Sequence, residues 1–282
     1  RISYPEIFAR AARAATGLEE LGLSGGTPVA MMLRNDFALF EASSAAATLG
    51  SPVVPINRHL KADEVNYILG DCGAGILVCH ADLWPQIQGG VGDHIKVLIV
   101  PTPPEIAAAF NVPPELARVP DGMTDWDQWR DARPPWSGPI GRMSPMFYTS
   151  GTTGRPKGVR RGQMRPEQLA AAERVSTIAY GVAPNENQVV LMNGPMYHSA
   201  PSSYGMLAFR HGATIVLEPR FDPEDLLRLV QERALRLKLA DWAGPGAELR
   251  FEHLFRTLGR GTDRSGKQSE ATLFRAIGAY RQ

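Results

Sequence analysis

The sequence predicts an α/β fold with layered, largely parallel sheets flanked by helices, and three observations predict it. Short apolar runs of strand length alternate with longer helical stripes. Glycine, proline and capping residues separate them. With 282 residues and 44% hydrophobic content, the chain has enough apolar mass for a large core, in one large domain or two ordinary ones.

Taken in order, Tyr4 to Leu21 carries an apolar stripe at Ile7, Phe8, Ala11, Ala14, Ala15, Leu18 and Leu21, and stops at Gly22 and the turn Ser24-Gly25-Gly26. Val29 to Leu33 is a short buried strand. Asn35 or Asp36 can cap a second helix running to Leu49, whose run Ala42 to Ala47 lets it approach a sheet closely. Strand follows within Gly50 to Asn57, helix over Ala62 to Leu69, and strands over Ala74 to Cys79 and Ile95 to Val100. Pro101 to Pro139 has prolines and three tryptophans, Trp126, Trp129 and Trp136, without periodicity; it reads as a loop-rich insertion whose tryptophans pack. Beyond it, Pro166 to Tyr180 is a helix with proline in its first turn, and Gln188 to Met192 and Ala213 to Leu217 are strands. Phe221 to Asp225 opens a last helix. Asp222 is its cap, Pro223 its first residue, Asp225 a second capping side chain, and Leu226, Leu227 and Val230 its apolar face.

Composition narrows the function. A formal net charge of +1 offers no basic field for nucleic acid. No apolar run reaches the roughly 20 residues of a membrane span. The N-terminus has neither a starting Met nor a secretory pattern, so the chain reads as cytosolic and as starting inside a longer protein. Cys72 and Cys79 lack zinc-site spacing and are expected as buried, reduced thiols.

The most informative stretch is Tyr148-Thr149-Ser150-Gly151-Thr152-Thr153-Gly154-Arg155-Pro156-Lys157-Gly158-Val159. Its glycines allow positive φ and close backbone approach, its hydroxyls supply rotatable donors, and Lys157 adds a mobile positive charge. Successive backbone N–H groups of such a loop make a concavity for an anion, here a phosphate. A flexible linker fits less well, because Met146-Phe147-Tyr148 reads as a strand end and Pro156 stiffens the loop. A Walker loop fits poorly: Lys157 stands between Pro156 and Gly158, with no Ser or Thr after it.

These twelve residues resemble the signature loop of the acyl-adenylate-forming enzymes, which include acyl-CoA synthetases, adenylation domains of peptide synthetases, and luciferases. Ile2 to Ile7 and Leu49 to Asn57 resemble structural elements of the same superfamily. Pro195-Met196-Tyr197-His198 is similar to the Pro-Met-Phe-His element of acyl-CoA synthetases, whereas peptide-synthetase domains usually place Phe-Asp nearby; the synthetase branch is favoured. The resemblance implies an incomplete N-terminal domain of an adenylate-forming enzyme over residues 1–233, with the phosphate loop at 148–159. Residues 234–282 form a divergent tail in which the adenine, ribose and hinge elements and the C-terminal domain are not found.

The implied activity is that of an AMP-forming acid–CoA ligase. A carboxylic acid attacks the α-phosphate of ATP, giving acyl-adenylate and pyrophosphate, and the thiol of coenzyme A then takes the acyl group. Thr149, Ser150, Gly151, Thr152, Thr153, Gly154 and Lys157 are implied to hold the β- and γ-phosphates, with Lys157 offsetting charge on the departing pyrophosphate. Tyr197 and His198 are implied to border the carboxylate being activated. Mg2+ is expected with ATP, its protein ligand in the family lying in the part not found. Two other readings stay open: a nucleotide- or acyl-binding remnant without turnover, and transfer to a carrier-protein thiol. The acid and the oligomeric state are not legible.

Overall fold

The computed structural model describes residues 1–141, 145–149, 155–159, 165–184 and 188–233. Five parallel strands, β1 (Val29–Met32), β2 (Val53–Pro55), β3 (Ile76–His80), β4 (Lys96–Val100) and β5 (Thr124–Asp125), form one sheet in the order β2-β1-β3-β4-β5. Alternation along each strand sends side chains to two cores, as the pleat requires. Val29, Met31, Ile76, Val78 and Leu98 pack on one side with helices α1 (Tyr4–Glu20) and α2 (Phe37–Thr48). Ala30, Met32, Leu77, Cys79 and Ile99 pack on the other with α3 (Ala62–Cys72).

Helix α1 starts where Ser3 accepts the Glu6 N–H at 3.3 Å. The cap of α2 is Asp36, which accepts the Phe37 N–H at 2.6 Å; the neighbouring Asn35 has a different task, described below. The stretch 101–139 is more ordered than its sequence predicts. It contains α4 (Pro104–Phe110), β5 and α5 (Trp126–Asp131), elements too short for periodicity to reveal. The tryptophans do pack: Trp126 is fully buried, and its ring centroid lies 5.5 Å from that of Trp129. Under them, Glu41 accepts from Arg130 Nη1 at 2.7 Å and from Trp126 Nε1 at 3.3 Å. Burial pushes Glu41 above the ordinary carboxylate range, although Arg130, Trp126 and Arg10 pull the other way. Of the two thiols only Cys79 is fully buried; Cys72 is half-buried, and burial raises both.

The second half begins with an antiparallel hairpin, β6 (Phe147–Thr149) and β7 (Lys157–Val159), followed by α6 (Pro166–Tyr180). Strands β8 (Val189–Met192) and β9 (Thr214–Leu217) then pair in parallel through α7 (Ser199–Arg210). Phe209 of α7 joins the two halves, its ring 5.2 Å from Tyr4 and 5.1 Å from Phe40. The last element is α8 (Pro223–Arg233), where Asp222 Oδ1 accepts from the N–H groups of Glu224 and Asp225 at 2.8 and 3.0 Å. Asp225 is not the second cap: it pairs with Arg228, and Glu218 accepts the Asp222 N–H instead at 2.9 Å. Leu226 is buried as expected, while the side chains of Leu227 and Val230 lie outside the described residues.

Candidate active site

The candidate phosphate stretch, 148–159, is framed by the β6–β7 hairpin. Phe147 pairs with Val159, Tyr148 with Gly158 and Thr149 with Lys157. Directly opposed residues of an antiparallel pair share a face, so the Thr149 hydroxyl and the Lys157 ammonium stand on the same exposed side at the mouth of the loop. Ser150, Gly151, Thr152, Thr153 and Gly154 lie outside the described residues. Gly158 is present for space. Its φ is not positive, and a Cβ there would come 2.2 Å from Met146 Cε and 2.9 Å from Tyr148 Cζ. Its role in freeing the backbone, expected from the sequence, is replaced by one in packing.

The Tyr197-His198 pair sits where β8 hands the chain to α7. His198 occupies the N-cap position of α7 with extended backbone, but its side chain makes no capping bond and is exposed. The Tyr197 and His198 rings lie 4.6 Å apart, centroid to centroid. The turn is held from the other sheet by Asn35: its Nδ2 donates to the Gly194 carbonyl at 2.8 Å, and its Oδ1 accepts the Met196 N–H at 2.9 Å. Buried Met196 pins the same turn from below.

Tyr197 also lines a cleft of about 790 Å³ at the carboxyl ends of strands from the two parallel sheets. Open α/β sheets place ligand sites at such ends. Arg34, after β1, and Arg58, after β2, line it together with Phe110 and Arg220. Buried Arg34 is paired with Asp82, which Thr102 holds with a hydroxyl bond of 2.8 Å. Its guanidinium carbon lies 3.9 Å from the centre of the Phe110 ring, and that of Arg58 lies 4.8 Å from the same centre. Among the described residues, Nε and Nη1 of Arg34 have no hydrogen-bond partner. Burial and the neighbouring Arg34 charge both lower the pKa of Arg58, so a negative ligand would relieve this wall of the cleft. The Arg34 backbone N–H donates to His80 Nδ1 at 3.1 Å, leaving Nε2 to donate to Asp36 Oδ2 at 3.1 Å. This buried pair, of which His80 is fully enclosed, fixes the end of β1 and does not line the cleft.

The structure therefore brings Thr149 to Lys157 and Tyr197 to His198. Among the described residues, no hydrogen bond or ion pair joins the two groups, and His198 does not line the cleft that Tyr197 lines. Arg34, Arg58, Phe110 and Arg220 escaped sequence reasoning. The available signal was position, since Arg34 and Arg58 each follow the carboxyl end of a predicted parallel strand. Among the described residues, no group of three or more His, Cys, Asp or Glu side chains is arranged to hold a metal ion. No helix among them is long and apolar enough to cross a membrane.

Comparison with known proteins supplies the family. The model of the AMP-binding enzyme family matches residues 1–237. A feruloyl-CoA synthase of an Amycolatopsis species is 29% identical over 242 residues, covering 84% of this chain and 43% of that protein. A long-chain-fatty-acid–CoA ligase of Thermus thermophilus is 30% identical over 231 residues, covering 81% and 40%. The chain thus spans about two-fifths of the length of these curated relatives. Among solved structures, an o-succinylbenzoate coenzyme A synthetase of Bacillus subtilis, in complex with ATP and magnesium ion, superposes with a TM-score of 0.62 at 21% identity, covering 87% of this chain and 47% of that one; this likeness is one of fold.

Proposed function

The chain belongs to the AMP-binding enzyme family, and from that premise we propose that it is the N-terminal region of an AMP-forming acid–CoA ligase. The observation that carries this reading is the opposed Thr149–Lys157 pair at the ends of the hydroxyl- and glycine-rich stretch. A hydroxyl donor and an ammonium on one face suit a polyphosphate whose leaving group gains negative charge.

In the proposed reaction, a carboxylate oxygen of the acid bonds to the α-phosphorus of ATP and the bond to the β,γ-diphosphate breaks. Acyl-adenylate and pyrophosphate result. Lys157, Thr149 and the residues Ser150, Gly151, Thr152, Thr153 and Gly154 hold the departing pyrophosphate. Sulfur of coenzyme A then bonds to the acyl carbon, and AMP leaves. Tyr197 and His198 border the carboxylate. The Arg34–Arg58 wall of the cleft beside Tyr197 suits the anionic part of a phosphorylated co-substrate. The cytosol is the compartment that goes with this chemistry and with two thiols that form no disulfide.

The test is pyrophosphate release by the full chain with Mg-ATP and a panel of fatty and aryl acids, beside Lys157→Ala. Release that depends on the acid and is lost in Lys157→Ala supports adenylation. ATP binding that Lys157→Ala weakens, without release, supports a binding role alone. Folded protein that binds no ATP would refute both.

A further inference from the structure

A two-stranded hairpin with three residues per arm is marginal unless something seats it. Here the seat is visible. Met146, just before β6, is buried, and its N–H donates to the Val53 carbonyl at 2.8 Å, tying the first arm to β2. Two further contacts come from one helix. Tyr67 and Asp71 stand four residues apart on α3 and so share a face. Tyr148 Oη donates to Asp71 Oδ2 at 2.5 Å, holding the β6 arm one residue before Thr149. The Arg155 guanidinium lies 5.1 Å from the centre of the Tyr67 ring, holding the other arm two residues before Lys157. Burial and the Asp71 bond both push the Tyr148 hydroxyl well above its ordinary pKa, so it remains a donor at any physiological pH.

We infer that Asp71 and Tyr67 are positioning residues for the phosphate hairpin, fixing from α3 where Thr149 and Lys157 stand. Neither touches the phosphates. They act by holding Tyr148 and Arg155, one on each side of the anion-binding stretch. The inference rests on the reading of Lys157 as a phosphate ligand. It adds to that reading a link from the first sheet to the nucleotide site, through residues 77 positions apart in the chain.

The experiment is calorimetric binding of Mg-pyrophosphate to the full chain, with thermal melting alongside. Asp71→Ala and Tyr148→Phe are each expected to weaken binding about five- to tenfold, the loss of a charge-assisted hydrogen bond at a half-exposed site. Asp71→Asn keeps a carbonyl acceptor for the hydroxyl and is expected to stay within about twofold of the parent. Combined with Lys157→Ala, Asp71→Ala should add clearly less than it does alone, because Tyr148 pairs with Gly158 beside the lysine and both substitutions disturb one site. A general loosening of the fold would instead add its full effect in either background, and that result overturns the inference. So does unchanged binding in both Asp71→Ala and Tyr148→Phe while Lys157→Ala still weakens it. Binding unchanged by Lys157→Ala itself would instead sink the phosphate-site reading, and this inference with it.

Discussion

Replacing Asn35 with alanine tests how the two halves of the molecule are joined. Asn35 is about 8% exposed, and its amide makes both bonds that hold the turn before Tyr197. Alanine removes both partners at once. The Met196 N–H is buried and would be left without an acceptor, at about 1–3 kcal/mol. The Gly194 carbonyl is only half-buried and can turn to water, so its loss adds about 0.5–1 kcal/mol. The sum is about 1.5–4 kcal/mol, or a fall in Tm of roughly 3–16 °C at about 2–4 °C per kcal/mol. Differential scanning calorimetry with urea denaturation measures it. Asn35→Asp provides the contrast: it can still accept from Met196, but it sets a carboxylate oxygen against the Gly194 carbonyl, and should be as destabilising at neutral pH and less so near pH 4. A loss below about 0.5 kcal/mol in Asn35→Ala would show that the turn stands without this bridge, and the account of how Tyr197 and His198 are placed would fail.

Three further predictions follow from packing and titration. Glu41→Ala leaves the buried Trp126 indole without its acceptor and takes one carboxylate from Arg130, which keeps Asp127 and Asp131, and should cost about 1–3 kcal/mol by urea denaturation, with Glu41→Gln losing clearly less because one acceptor oxygen survives. Gly90→Ala would put a Cβ 2.0 Å from the Ala62 carbonyl oxygen at the start of α3, a backbone clash worth about 1–3 kcal/mol, whereas Gly89→Ala meets nothing within 4 Å and should change Tm little; equal effects would refute the packing there. Tyr4 donates to the Ala213 carbonyl at 2.7 Å, and burial holds its pKa up to about 12 against an ordinary value of 10.0. The folded state keeps this proton more tightly than the unfolded one, so its contribution is intact below about pH 10 and fades as pH rises towards 12. In a tyrosinate absorbance titration Tyr4 should ionise late, and Tyr4→Phe should remove one late-titrating group; a tyrosinate lost from the ordinary range near pH 10 would contradict this.

What the sequence determined by itself is local. Apolar stripes, Gly22, the Asp222-Pro223 start of α8 and the β-length runs at 29–33, 74–79 and 95–100 gave the α/β class and the helix and strand positions, because propensity, capping and periodicity act over a few neighbouring residues. The proposed phosphate stretch stood out for the same reason: its hydroxyls, glycines and lysine are contiguous. The tertiary structure decided what depends on residues distant in the chain. Asn35 and Asp36 were equivalent caps on paper; folding gave the cap to Asp36 and brought Gly194 and Met196 to Asn35 across about 160 positions. Gly158 gained its reason only when Met146 and Tyr148 lay across it. Arg34 and Arg58 became one wall of a cleft only when β1 and β2 paired and Phe110 came under both. A parallel sheet sets side by side the carboxyl ends of strands separated by whole helices, and no periodicity in the sequence records which of those ends will meet.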